Sequence, residues 1–191
     1  MLKSTVMTVR NLTSLLLEYP LLVRQLETKS PSFLANLFDW LERTEQALLQ
    51  HSNVLAAELA GIKSRIIAPA CKDDLRGSVR KVQIRTAADH MFELQDCLQR
   101  ALQPHARKLD ESREPVRQLL AIVADSGAVS YDGNTSLDQL ISRIWYLMSH
   151  HEQLKPLMVQ LKSRLSEQDV KLLLADEIEL EDFTDQPVST V

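Results

Sequence analysis

The sequence has few of the residues that form turns and sheets. Its 191 residues include 4 glycines and 7 prolines, and aromatic residues make up 5%. Strands favour aromatic and β-branched residues and need turns between them, so this scarcity argues against a protein built from sheets. Hydrophobic residues reach 45% and charged residues 25%, which is typical of a globular chain and argues against general disorder.

Cysteines and long apolar runs are also scarce. Cys71 and Cys97 lie far apart and match no zinc or redox spacing, so we expect reduced thiols in a reducing compartment. No stretch approaches the roughly 18 apolar residues that a membrane span needs. Near the N-terminus, Arg10 and Glu18 interrupt the leucine cluster that a signal peptide would keep continuous. We therefore predict a cytoplasmic protein without a membrane segment.

The most regular pattern lies between residues 78 and 103. Apolar residues recur there at alternating steps of three and four, which predicts a helix with one buried face. The residues of this seam are Ile84, Ala87, Met91, Leu94, Leu98 and Ala101, and a second stripe beside it contains Ala88, Phe92 and Leu102. We expect Pro104 to end or kink this helix, because proline cannot donate to the helical ladder.

Similar apolar periods occur in residues 33–67, 116–126 and 137–165. Ser52 and Asn53 could cap a new helix, so 33–67 could be one helix or two. We predict an all-α bundle of about six or seven amphipathic helices with no substantial sheet. Its core is the 78–103 helix packed against those three segments. Ser166 and Asp169 have the spacing of a capping pair for one further helix.

The predicted domain boundary follows from composition near the C-terminus. We assign residues 1–178 to a single helical-bundle domain. Residues 179–191 are acidic and lack an apolar period, so we expect a frayed C-terminal tail.

Charge is distributed unevenly along the chain. Residues 62–85 contain seven basic and two acidic residues, whereas residues 166–191 contain eight acidic residues and one lysine. The candidate binding residues of the basic segment are Arg76, Arg80, Lys81 and Arg85. Such a segment could bind an anion or a phosphate backbone, could be an ordinary solvated face, or could be covered by the acidic tail. The net charge of −4 gives no whole-chain reason to favour nucleic acid.

Trp40 is the other candidate binding residue, because it lies in a cluster with Phe33 and Phe38. Aromatic side chains on a bundle helix usually belong to the core. If Trp40 were exposed, its surface would be a contact for a partner or for a second copy of the chain.

A metal site in the bundle would have to use histidines and carboxylates from several helices. The candidates are His90, Glu93 and His151, but the chain contains no Glu-x-x-His sequence. His150 and His151 also point about 100° apart on a helix. We therefore predict no metal and no cofactor.

Catalytic motifs are missing from the sequence. It has no glycine-rich phosphate loop and no Gly-x-Ser-x-Gly, and neither cysteine has an obvious histidine partner. We therefore do not expect an enzyme. The sequence favours a non-catalytic protein-protein interaction or regulatory module, with a homodimer among the options. The alternatives are a regulator that binds anions or nucleic acid through the basic 63–85 segment, and a metal-binding bundle of histidines and carboxylates.

Overall fold

The structure is a computed structural model that describes residues 4–50, 53–71 and 78–184. It contains seven α-helices, and the described residues form no strand, which confirms the all-α prediction. The helices are α1 (Thr5–Glu27), α2 (Phe33–Leu49), α3 (Asn53–Ile67), α4 (Val79–Asp125), α5 (Leu137–His150), α6 (Lys155–Arg164) and α7 (Glu167–Glu177). Short 3₁₀ helices cover Ala68–Cys71, Glu152–Leu154 and Leu180–Phe183. None of the helices in the described ranges combines the length and the apolar character needed to cross a membrane.

Of the two outcomes predicted for Pro104, an end of the 78–103 helix is wrong, whereas a kink stays a prediction. Helix α4 continues through Pro104 and Pro115 to Asp125 and has 47 residues. A proline inside a helix costs about 3 kcal/mol, because it removes a hydrogen bond and crowds the preceding turn. Leu98 before Pro104 and Val116 after it are both fully buried, and burial of the apolar face on each side offsets that cost.

The segment 33–67 forms two helices. Helix α2 ends at Leu49 and α3 begins at Asn53, close to the cap that the sequence suggests. His51 and Ser52 lie outside the described residues.

The contacts between Cα atoms group the chain into two compact units. The first unit is Met7–His105, and the second unit combines Met1–Val6 with Ala106–Val191. The division falls within α4 after His105 and within α1 after Val6. The single domain predicted over residues 1–178 stays a prediction, since compact units defined by contacts need not fold separately.

The core of the first unit confirms the predicted seam. Ala87, Leu94 and Leu98 of α4 are fully buried and belong to one cluster with residues of α1, α2 and α3. The polar atoms of two aromatic side chains in this cluster form hydrogen bonds with main-chain carbonyls. Trp40 Nε1 donates to the Leu15 carbonyl at 2.8 Å, and the Tyr19 hydroxyl donates to the Met91 carbonyl at 2.7 Å. Burial of Tyr19 raises its pKa, so its hydroxyl remains a donor at neutral pH.

Cys97 is a buried free thiol in the same core. Burial raises the pKa of Cys97 to about 11, so the unreactive thiol predominates over the thiolate at neutral pH. Its role is that of a small apolar core residue. The side chain of Cys71 lies outside the described residues.

The second unit is held together by the apolar faces of α5, α6 and α7 and the C-terminal part of α4. Ile144, Met148, Leu161 and Leu174 are at most 1% exposed. The predicted acidic tail begins in this unit with four exposed residues, 179–182, and the next residue is packed. Phe183 is buried, and its carbonyl accepts a hydrogen bond from the Tyr131 amide at 2.6 Å. Residues 185–191 lie outside the described part of the chain.

Asp169 connects the start of α1 to the start of α7. Its carboxylate accepts hydrogen bonds from the Ser4 hydroxyl at 2.6 Å, from the Thr5 amide at 2.9 Å and from the Val6 amide at 3.2 Å. The Ser166 hydroxyl donates a fourth, and Ser166 in turn caps α7 by accepting from the Asp169 amide, as the sequence predicts. The carboxylate is fully buried. Burial alone would raise its pKa, but these hydrogen bonds outweigh burial and hold the pKa of Asp169 below its ordinary value.

Replacing Asp169 with alanine should destabilise the second unit, because the substitution leaves the first amides of α1 without an acceptor. We expect the free energy of unfolding to fall by about 2–4 kcal/mol, as for the loss of a buried cap with several donors. Urea unfolding followed by circular dichroism would measure this change in the free energy of unfolding. Asp176→Ala, at an exposed position of α7, is the matched control and should change stability by less than about 0.5 kcal/mol. Equal effects of the two substitutions would contradict the assigned role of Asp169.

The contribution of Asp169 should also depend on pH. Because folding lowers its pKa, the stabilisation is fully present above the unfolded-state pKa of about 4 and is lost as the pH falls through the folded-state value. The stability difference between the wild type and Asp169→Asn should therefore stay constant from about pH 7 to pH 5 and shrink below about pH 4. Urea titrations at each pH would measure it, and a difference that does not change with pH would disprove the role of the charge.

Candidate functional site

Three of the four basic residues predicted to bind a partner lie in the first turns of α4 in the first unit. Arg80, Lys81 and Arg85 are all exposed. Arg76 lies outside the described residues. Ser78 immediately precedes the helix, and its carbonyl accepts hydrogen bonds from the amides of Lys81 and Val82.

Arg80 connects α4 to the turn between α1 and α2 by donating a hydrogen bond to the Pro31 carbonyl. That turn ends α1 with Lys29 in the left-handed conformation, at φ 53°. The Lys29 amide donates to Leu26 and the Ser30 amide donates to Gln25, a Schellman motif that fixes the turn. The contact therefore brings exposed Lys29 to the same end of the unit as Arg80 and Lys81, and this end is basic.

The outer face of α4 carries a row of four exposed residues, Lys81, Arg85, Ala88 and Phe92. We call it the α4 row. Their spacing of four, three and four residues places them on one side of the helix. Among the described residues, neither Lys81 nor Arg85 has an ion-pair partner, and Phe92 is 77% exposed. The row therefore presents to solvent an aromatic ring and two cations that form no ion pair within the described part of the chain.

The sequence interpretation missed Phe92. It assigned Ala88 and Phe92 to a second buried stripe, but both are exposed, and only Leu102 of that stripe is partly buried. The buried face of α4 is narrower than predicted because Ala87, Met91 and Leu94 already fill the space against the neighbouring helices. The sequence contained an indication that Phe92 is exposed, since the charged residues Lys81 and Arg85 lie in the same helical row as Phe92.

Trp40 is 0% exposed, so it has no surface to offer a partner. The centroids of the Trp40 and Tyr19 rings lie 6.0 Å apart, and the indole nitrogen donates a hydrogen bond to the Leu15 carbonyl. The structure therefore supports the interpretation that Trp40 belongs to the core and not the interpretation that it forms an exposed contact surface.

The candidate metal ligands do not form a cluster. His90 Nδ1 lies 3.1 Å from Glu93 Oε2, and Arg65 of α3 lies 3.5 Å from the same oxygen. These residues belong to the first unit, whereas His151 belongs to the second and is exposed. The described part of the chain contains no group of three histidine, cysteine, aspartate or glutamate side chains that could hold a metal ion.

In the acidic C-terminal region, Glu177 has partners in its own unit. Arg113 and Arg117 of α4 both donate to its carboxylate, Arg117 at 2.5 Å. Partial burial opposes ionisation of Glu177, but the two guanidinium groups outweigh it and keep its pKa below the ordinary value. Coverage of the basic segment by the acidic tail stays one of the alternatives left open by the sequence.

Comparisons of this chain with models of protein families, with curated proteins and with solved structures find no match. Any functional assignment therefore rests on the residues described above.

The exposed position of Phe92 can be checked by measuring how its replacement changes the free energy of unfolding. Phe92→Ser should change the free energy of unfolding by less than about 0.5 kcal/mol, because the ring is already in water. Leu94→Ala, two residues away on the buried face, should cost about 2–5 kcal/mol through the cavity it leaves. Urea unfolding of both variants measures the difference. A loss from Phe92→Ser comparable to that from Leu94→Ala would place the ring in the core after all.

Proposed function

We propose that the protein is a non-catalytic helical interaction module that binds a protein partner through the α4 row. The observation that carries this proposal is the exposed ring of Phe92 on the same side of one helix as two cations that form no ion pair with any described residue. Both features are exposed to solvent, so both are accessible to a partner.

The composition of the row suits a protein partner. Aromatic and arginine side chains supply much of the binding energy of protein interfaces, and an exposed phenyl ring gains by leaving water. Lys81 and Arg85 would favour acidic side chains on the partner. A fitting partner is an amphipathic helix that carries acidic residues beside an apolar stripe, since two helices can pack along such a row.

An anion or nucleic-acid ligand is the second candidate. It is supported by the basic end of the first unit, where the bond from Arg80 to Pro31 brings Lys29 together with the start of α4. A nucleic acid could place phosphates on these cations and stack a base on Phe92. The acidic net charge makes this candidate the weaker of the two. The metal-binding alternative has no observation in its favour among the described residues, and we do not propose it.

A homodimer would be the special case in which the partner is a second copy of the chain. It stays a prediction, as does the cytoplasmic location.

The proposal can be tested with a labelled peptide of about 20 residues that places glutamates and leucines on adjacent faces of a helix. Fluorescence anisotropy should show binding to the wild-type chain. Lys81→Glu combined with Arg85→Glu should weaken binding at least about tenfold, and Phe92→Ser at least about fivefold, because the first change repels the acidic face and the second removes the apolar anchor.

The chain offers matched controls for both changes. Arg10→Glu alters an exposed arginine of α1 that pairs with no acidic residue among those described, and Val54→Ser alters a 78% exposed residue of α3. Both should leave peptide affinity within about twofold. An oligothymidine of about 20 nucleotides is the competing probe, and tighter binding of it with a steep salt dependence would favour the second candidate. Peptide binding that is absent, or equal in all variants, would overturn the protein-partner proposal.

A further inference from the structure

We propose that a cleft in the second unit binds a small apolar molecule that carries a carboxylate. The cleft has a volume of about 410 Å³ and lies between α5 and the loop that precedes it. Its lining residues are Ala128, Val129, Ser142, Arg143, Tyr146 and Leu147. Clefts that bind small molecules commonly measure about 300–1,000 Å³ and combine apolar walls with a few polar groups, as this one does.

One wall of the cleft comes from two successive turns of α5. Ser142 and Arg143 lie one turn before Tyr146 and Leu147, so the four side chains share a side of the helix. The Tyr146 ring stacks on His150 with 4.1 Å between centroids, and His150 Nδ1 donates to the Tyr146 carbonyl at 2.8 Å. These contacts hold the aromatic wall in position before any ligand arrives.

The opposite wall is a loop that is fixed on both sides of Val129. The Ser126 hydroxyl donates to the Val123 carbonyl at 2.7 Å and accepts from the Ala128 amide at 3.2 Å. Beyond Val129, the Tyr131 amide donates to the Phe183 carbonyl. Val129 itself is buried. A wall anchored in this way reduces the ordering that a ligand would otherwise have to impose, which favours binding.

Arg143 determines the charge of the ligand. Its side chain is exposed at the cleft, and within the described ranges no acidic residue forms an ion pair with it. A guanidinium group binds a carboxylate with two parallel hydrogen bonds. The remaining walls are mainly apolar, so the ligand should combine an aliphatic or aromatic body with one carboxylate.

Sodium octanoate is a suitable probe, and 1-octanol is its uncharged counterpart. Titrated into the ¹⁵N-labelled full chain, octanoate should shift the amide signals of Val129, Ser142 and Leu147, with a dissociation constant on the order of a millimolar for so small a ligand. Arg143→Gln should weaken octanoate binding at least about fivefold and leave octanol binding within about twofold, because only octanoate uses the guanidinium.

Two further variants distinguish binding of the probes in the cleft from their non-specific association with the protein. Ala128→Trp should fill the cleft and abolish the shifts caused by both probes. Arg24→Gln removes an exposed arginine of α1 in the first unit and should leave octanoate binding unchanged. The proposal would be overturned by the absence of shifts at the cleft up to about ten millimolar probe. Equal octanoate affinity in wild type and Arg143→Gln would also overturn it, as would shifts that survive in Ala128→Trp.

Discussion

Burial of one apolar face along α4 is the constraint on which both units of the protein depend. Ala87, Leu94 and Leu98 contribute this face to the core of the first unit, and Val116 and Leu119 contribute it to that of the second. The helix is continuous through two prolines, which shows that the burial on either side outweighs the local cost of each ring. When one face of a helix is buried in a core, its opposite face remains exposed to solvent. In the first unit, that exposed face of α4 carries the α4 row.

Polar groups inside the cores and at helix ends are satisfied by specific partners. Trp40 and Tyr19 donate to main-chain carbonyls, and Asp169 accepts four hydrogen bonds at the junction of two helix N-termini. Each of these bonds removes a desolvation penalty more than it adds attraction, because an unpaired buried polar group would be costly. They therefore select one arrangement of the helices. Lys81, Arg85 and Arg143 have no ion-pair partner in the ranges 4–50, 53–71 and 78–184, and both proposed binding surfaces use them.

Much of the fold was predictable from apolar periodicity, and part of the candidate site was not. The all-α class, the buried seam through Met91 and Leu94 and the capping pair of Ser166 and Asp169 all follow from local spacing, whereas local spacing left open whether 33–67 is one helix or two. Lys81 and Arg85 were also identified, because clustered charges are visible in a sequence. Phe92 was assigned to the wrong face, since spacing alone does not tell how wide a buried stripe will be. The width depends on how closely neighbouring helices approach.

The sequence by itself determined which residues form helices and which side of each helix is apolar, because these properties depend on neighbours within one or two turns. Only the tertiary structure decided that α4 continues through Pro104, that Trp40 is core and that Asp169 also caps α1 across more than 160 residues. It also decided which cations remain unpaired and which apolar side chains border a cleft. These outcomes are set by packing between segments distant in sequence, where a gain in burial or hydrogen bonding elsewhere can outweigh a local preference.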